Sequence, residues 1–141
     1  MFAPSQSPTA SYRTIGVETG VMAASPHKLI LMLFDGALLA IALARQAIES
    51  QDVATKGKEI SRAIDILANG LKASLDFAQG GELAERLAAL YDYMADRLLF
   101  ANLHSDAAAL AEVQGLLVEI KQAWEEIADD PTVVSDGTKP E

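Results

Sequence analysis

Few residues in this chain combine the type and the spacing that chemistry requires. A di-iron site in a helical bundle uses inward-facing Glu-x-x-His pairs, but Ala24 lies three residues before His27 and Ala101 three before His104. The sequence contains no cysteine, which excludes disulfides, thiol nucleophiles and zinc-thiolate sites. We therefore predict no metal and no cofactor, and we interpret both histidines as solvated surface residues.

The sequence also contains no nucleophilic or phosphate-binding motif. Gly80-Gly81 lacks the Lys and Ser/Thr context of a P-loop, and it indicates a helix stop instead. A Gly-x-Ser-x-Gly elbow is missing from the sequence. Asp35 is the one acid in a long apolar run. We favour an acid that faces a gap, or that pairs with a tyrosine or a backbone N–H, over catalysis, because buried polar groups are normally paired. The sequence predicts that the protein is not an enzyme.

The size and the net charge of the chain limit the classes of partner it can bind. The chain has 141 residues and a net charge of −9, which favours one domain and neither nucleic acid nor an anionic membrane as partner. The apolar run from Leu29 to Ala44 is shorter than the roughly 20 residues that span a bilayer. It also starts late for a signal peptide, after a lead of mixed charge. We predict no membrane insertion, and the lack of cysteine fits a reducing cytosol.

Apolar residues recur at helical spacing in four segments, which predicts an all-α, antiparallel up-down four-helix bundle. Ser25 is a candidate N-cap and Pro26 a candidate first helical residue. The first three predicted helices span Pro26 to about Glu49–Gln51, roughly Val53 to Phe77, and Glu82 to about Asn102. The fourth follows a cap at Asp106 and is stopped by Asp129-Asp130-Pro131. We predict an extended or short-helical arm over residues 1–24, a bundle over 25–128 and a disordered tail over 129–141.

The first predicted helix carries more apolar surface than a bundle core requires. Two of its stripes suffice for the core, and Leu31, Leu38 and Ala42 form a third. A helix that is apolar on every face must be covered on every face. The cover is the chain's own arm, a second copy or a partner, so the excess indicates binding rather than catalysis.

The third and fourth helices leave two interpretations open for their aromatic residues. The predicted core stripe of the third helix is Leu83, Leu87, Leu90, Met94, Leu98 and Ala101. Tyr93 and Phe100 lie beside that stripe, so they belong either to the edge of the core or to an interface. We predict that Trp124 is in the core. Arg86 and Arg97 are expected to pair across helical turns with solvated aspartates of the helix faces.

Several motifs, in order and spacing, resemble the FliS family, the flagellar secretion chaperones for flagellin. They cover about residues 12–127 and include SPHKLILMLFDGA from Ser25, IDIL from Ile64, GGELA from Gly80, LYDYM from Leu90 and Ala123-Trp124. One departure is Phe34, where the family usually has tyrosine; the change removes a hydroxyl.

The resemblance implies a helical export chaperone of the bacterial cytosol without enzymatic activity. It implies binding to the disordered C-terminal segment of flagellin, prevention of premature polymerisation, and assistance in type III export. We expect a monomer or a homodimer. The export gate and other flagellar proteins are further candidate partners. The alternative is a structural module that self-associates through the same apolar faces.

We expect partner contacts among the apolar residues on or beside the core stripes and in the arm. The candidates are Tyr12, Ile15, Val17, Leu31, Leu38, Ile66, Leu71, Ala73, Leu75, Phe77, Tyr93, Phe100 and Leu116. We also expect arm residues 12–22 to lie across the excess face of the first helix or the client groove when no client is bound.

Overall fold

A computed structural model describes residues 25–128, and these form four helices without a strand in that range. The α-helices are α1 (Pro26–Glu49), α2 (Val53–Asp65), α3 (Phe77–His104) and α4 (Ala107–Ala128). Helix α2 continues through a π-helical segment (Ile66–Leu71) and one 3-10 turn (Lys72–Ser74). The all-α prediction is confirmed; the predicted arm and tail lie outside the described residues.

Short connections make consecutive helices neighbours. Three residues join α1 to α2, and two residues lie at each of the next two junctions. Helix α1 packs against α2 and α4, and α3 packs against the same two helices. The four helices thus enclose one core, as expected for an up-down bundle with short loops.

Side-chain caps define the helix starts. Ser25 Oγ accepts from Lys28 N at 3.1 Å, with Pro26 following as the sequence predicts. Asp106 Oδ1 accepts from Ala108 N at 2.9 Å at the start of α4. Each cap satisfies a backbone donor that has no partner inside its helix.

The predicted boundary between α2 and α3 is wrong. Asp76 caps α3 by accepting from Gln79 N at 3.0 Å, so α3 begins at Phe77 rather than near Glu82. Gly80-Gly81 therefore lies inside α3 and does not end α2. Gly81 still interrupts helical geometry, since its φ of 51° is in the region that favours glycine.

The bent first turn of α3 also changes its core stripe. Leu83 is 63% exposed, whereas Ala84 is 3% exposed. A Cβ on Gly80 would lie 3.0 Å from the Ala84 Cβ, so the bent turn covers Ala84 and leaves Leu83 in solvent. From Leu87 onwards the predicted stripe holds, and Leu98 is fully buried.

Two charged residues of α2 are buried without having been predicted so. Lys56 and Glu59 are 8% and 5% exposed. Lys56 Nζ donates to Asn102 O at 3.0 Å and to Ser105 Oγ at 2.7 Å. This places an ammonium at the C-terminus of α3, where the helix dipole favours positive charge.

Helix α1 is long and apolar enough to cross a membrane, judged on length and composition alone. Eight of its residues are nevertheless buried inside the bundle, and Phe34, Ala37 and Ile41 are 0–1% exposed. Its hydrophobicity thus supplies the core, as the first two predicted stripes require.

A buried phenol makes the bundle sensitive to alkali. Burial raises the pKa of Tyr91 from 10.0 to about 12. A raised pKa stabilises the fold below the unfolded pKa, and that contribution is lost as pH rises from 10 towards the folded value. A rise of this size corresponds to about 3 kcal/mol. Urea unfolding between pH 9 and pH 12 is expected to show this loss. The Tyr91→Phe variant should lose less stability over that range, and equal losses would contradict the assignment.

Candidate partner-binding surface

Helix α4 lies between α1 and α3, and polar side chains connect it to both. Lys121 Nζ lies 2.7 Å from Asp35 Oδ1 of α1. Nearer the N-terminal end of α4, Arg45 of α1 donates to Gln114 Oε1. We call the surface between these helices the α1/α4 groove, and the corresponding surface on the other side of α4 the α3/α4 groove.

The role expected for Asp35 is corrected by this geometry. Its side chain is 59% exposed and pairs with an ammonium, rather than being buried against a tyrosine or a backbone N–H. The hydrogen bond with Asp35 raises the pKa of Lys121 above its ordinary value. Asp35 is polar within an apolar run because its helical position faces solvent.

The α1/α4 groove holds the predicted excess stripe of α1. Leu31 and Leu38 lie one turn before and one turn after Asp35 on the same flank, and both are half-buried. On α4, Val118 lies one turn before Lys121 and is 37% exposed. Helix α1 is not fully covered by the described residues, since Leu39 on its outer side is 54% exposed.

The α3/α4 groove is lined by aromatic side chains. Tyr93 and Phe100 are 43% and 39% exposed, which favours the interface interpretation over core packing. Leu116 of α4 is half-buried and packs against the core. It lies one turn from Glu112, whose carboxylate reaches across to α3.

Glu112 accepts two hydrogen bonds from α3. Tyr93 donates its hydroxyl to Oε2, and Arg97 Nε donates to Oε1 at 2.8 Å. Both bonds lower the pKa of Glu112, and the bond from Tyr93 has the larger effect. In return, the bond to the carboxylate raises the pKa of the Tyr93 hydroxyl. The guanidinium of Arg97 also lies over the Phe100 ring, with Cζ 4.8 Å from the centroid.

The arginine partners expected from the sequence are therefore corrected. Arg97 pairs with Glu112 of α4, and Arg86 pairs with Glu82 one turn away at 2.8 Å. Asp92 instead pairs at 2.8 Å with Lys72, which lies in the 3-10 turn at the end of the α2 segment. One flank of α3 thus faces α4 and the other faces α2.

Two candidate contact residues lie in the core. Ile66 and Leu71 are 6% and 2% exposed, because the π-helical segment packs against α1 and α3. A Cβ on Gly36 of α1 would lie 3.3 Å from Ile66 Cδ1, so the missing side chain leaves room for this approach. Ile66 and Leu71 therefore have too little exposed surface to anchor a partner.

The remaining candidates in this region stay accessible. Ala73 is exposed, Leu75 is half-buried and Phe77 is 49% exposed. They lie at the corner between α2 and α3. Tyr12, Ile15 and Val17 lie outside the described residues.

The interpretation of His27 as solvated is wrong. Its ring is half-buried and stacks on Trp124, with centroids 4.6 Å apart and planes 6° from parallel. Trp124 Nε1 donates to His27 O at 3.2 Å. The pair joins the start of α1 to the last turns of α4. His104 is exposed as predicted, at the end of α3.

The surfaces on either side of α4 carry both apolar and polar side chains. Within residues 25–128, no group of three or more His, Asp or Glu side chains could hold a metal ion. The two grooves offer half-buried leucines, exposed aromatic rings and polar edges, and residues of these kinds are common anchors of protein interfaces.

Known proteins identify the family. The model for the flagellar protein FliS matches residues 8–131. The chain belongs to the FliS family. It is 54% identical over 118 residues to the flagellar secretion chaperone FliS of Salmonella typhimurium, covering 84% of this chain and 87% of that relative. It is 44% identical over 128 residues to that of Escherichia coli, covering 91% and 94%. For Bacillus subtilis the identity is 36% over 121 residues, with 86% of each chain covered. The resemblance in the sequence motifs, and the export-chaperone class it implied, are confirmed.

Proposed function

We propose that this chain binds the disordered C-terminal segment of flagellin in the bacterial cytosol, prevents its premature polymerisation and assists its type III export. The observation that carries the proposal is the pair of partly apolar grooves on either side of α4. Grooves of this kind accept amphipathic helices. A client that folds on binding loses conformational entropy, and contact with a large surface offsets that loss.

The proposed client surface comprises both grooves and the corner between α2 and α3. Its residues on the described part of the chain are Leu31, Leu38, Ala73, Leu75, Phe77, Tyr93, Phe100 and Leu116. Ile66 and Leu71 are left out because they are buried. Tyr12, Ile15 and Val17 of the arm remain proposed contacts. The export gate and other flagellar proteins remain candidate further partners.

A mixing experiment tests the client. The full chain is combined with a peptide of the flagellin C-terminal segment, and the mass is measured by size-exclusion chromatography with light scattering. We expect a discrete complex that is heavier than the chaperone alone. A stable high-order oligomer whose mass does not change when the peptide is added would instead favour the self-associating module.

The arm gives a further prediction. Residues 12–22 are proposed to lie across the excess face of α1 or the client groove when no client is present. If the arm only competes with the client, it lowers the apparent client affinity; if Tyr12 also contacts the client, loss of the arm weakens binding. Arm amides are expected to be partly protected from hydrogen exchange in the free protein, and their protection should change when the flagellin peptide is added. Deletion of residues 1–20 should increase non-specific self-association. Full and unchanged exchange in both states would contradict the proposed role.

A further inference from the structure

Four side chains form a row along the α4-facing flank of α3. Tyr93, Arg97, Phe100 and His104 are spaced three or four residues apart, so they lie on one helical face. Tyr93, Phe100 and His104 are exposed and Arg97 is half-buried. Exposed side chains of this length sample several rotamers unless something fixes them.

A single carboxylate from the neighbouring helix α4 bonds to the first two side chains of the row. Glu112 holds the Tyr93 hydroxyl and Arg97 Nε at the same time. The guanidinium so placed lies 4.8 Å from the centroid of the Phe100 ring. That ring in turn lies 4.4 Å from the ring of His104. The contacts therefore run from Glu112 through Arg97 and Phe100 to His104.

This network contributes little to the stability of the bundle. The side chains of Arg97 and Glu112 are 30% and 37% exposed, and ion pairs so accessible to water add little to folding. None of the row residues is buried. The main physical consequence of the network is therefore a surface whose side chains are already ordered.

We propose that Glu112 is a positioning residue of the α3/α4 groove, which preorganises the row from Tyr93 to His104 for a client helix. The inference rests on the proposed function of that groove. A partner that binds a disordered surface must immobilise each side chain during association, which weakens binding by about two- to tenfold per side chain. Glu112 removes part of that penalty before the client arrives.

Titration calorimetry of the full chain with the flagellin C-terminal peptide tests the role. Glu112→Ala is expected to weaken binding about three- to tenfold, and Glu112→Gln, which keeps the size and one acceptor, to weaken it less. The matched control is Asp92→Ala. It removes an inter-helix ion pair of 2.8 Å on the other flank of α3, and should leave the affinity unchanged.

A double-mutant cycle separates positioning from direct contact. Tyr93→Phe removes only the hydroxyl that Glu112 holds. It should weaken binding about twofold in the wild-type background and have no further effect in Glu112→Ala, because the two changes break one link. A further loss in the Glu112→Ala background would mean that the hydroxyl contacts the client directly, which would overturn the positioning role.

The free protein supplies a readout that needs no client. Contacts between the Arg97 side chain and the Phe100 ring should give nuclear Overhauser effects in the wild type that weaken in Glu112→Ala, while the unfolding midpoint stays nearly the same. Unchanged affinity in Glu112→Ala, with wild-type binding intact, would overturn the positioning role alone. Failure of the wild type to bind the peptide would overturn the proposed function and the positioning role together.

Discussion

Truncation of Leu98 to alanine is expected to destabilise the bundle by about 2–5 kcal/mol, because removing a core leucine side chain leaves a cavity. The same truncation at the next residue, Leu99, should change stability by less than about 1 kcal/mol. Leu98 is 0% exposed and Leu99 is 56% exposed. The two variants share residue type, helix and sequence context, so their difference reports burial alone. Urea unfolding followed by circular dichroism measures both.

The Leu99→Ala result also bears on assembly. A loss at Leu99 as large as that at Leu98 would mean that Leu99 is covered in solution. Repeating the unfolding at several protein concentrations distinguishes the sources, because burial by a second copy makes stability depend on concentration and burial by the chain's own arm does not. Such concentration dependence would show that a second copy covers Leu99.

The helices with clear local signals were the most predictable. Helix α1 begins where Ser25 and Pro26 place it, and its inward stripes are buried as the spacing predicts. Helix α4 starts after Asp106 and buries Leu110, Val113 and Leu117. In both helices the cap and the apolar period indicate the same structure, and agreement between such signals is what makes an element predictable.

Elements whose shape depends on packing were not predictable to the same extent. Leu83 and Ala84 both continue a helical spacing back from Leu87, and only the bend at Gly81 decides which is covered. A π-helical segment likewise leaves no simple signal in the apolar pattern. The helical spacing puts Ile66 in a strip beside the core stripe, whereas in the structure Ile66 packs towards Gly36 of α1. Tertiary contact overrides local preference in both places.

The sequence predicts the aromatic and apolar members of the proposed client surface but not its polar ones. Tyr93 and Phe100 were identified because they lie off the core stripe. Glu112 was not, because its partners belong to another helix. A usable signal exists: Arg97 lies eight residues before Ser105 and Glu112 seven after it. A short turn between antiparallel helices brings such positions to the same level.

Replacing Tyr93 by alanine is expected to weaken binding of the flagellin C-terminal peptide by about 1–3 kcal/mol, the usual cost of losing an interface anchor. Tyr93 presents 43% of its surface in the α3/α4 groove, and its ring is fixed by the hydroxyl bond to Glu112. The truncation removes both the aromatic ring and the hydroxyl that bonds to Glu112. Titration calorimetry with the full chain measures the change.

Leu99→Ala is the matched control for this experiment. Leu99 is exposed on the same helix, but on the opposite flank. It lies two turns after Asp92, whose ion pair with Lys72 shows that this flank faces α2. Its loss should leave peptide affinity unchanged if the client helix occupies the α3/α4 groove. Equal losses for the two variants would place the client over a broader face of α3. Unfolding of Tyr93→Ala at ordinary temperature would show that Tyr93 supports the core, and would contradict its assignment as a client anchor.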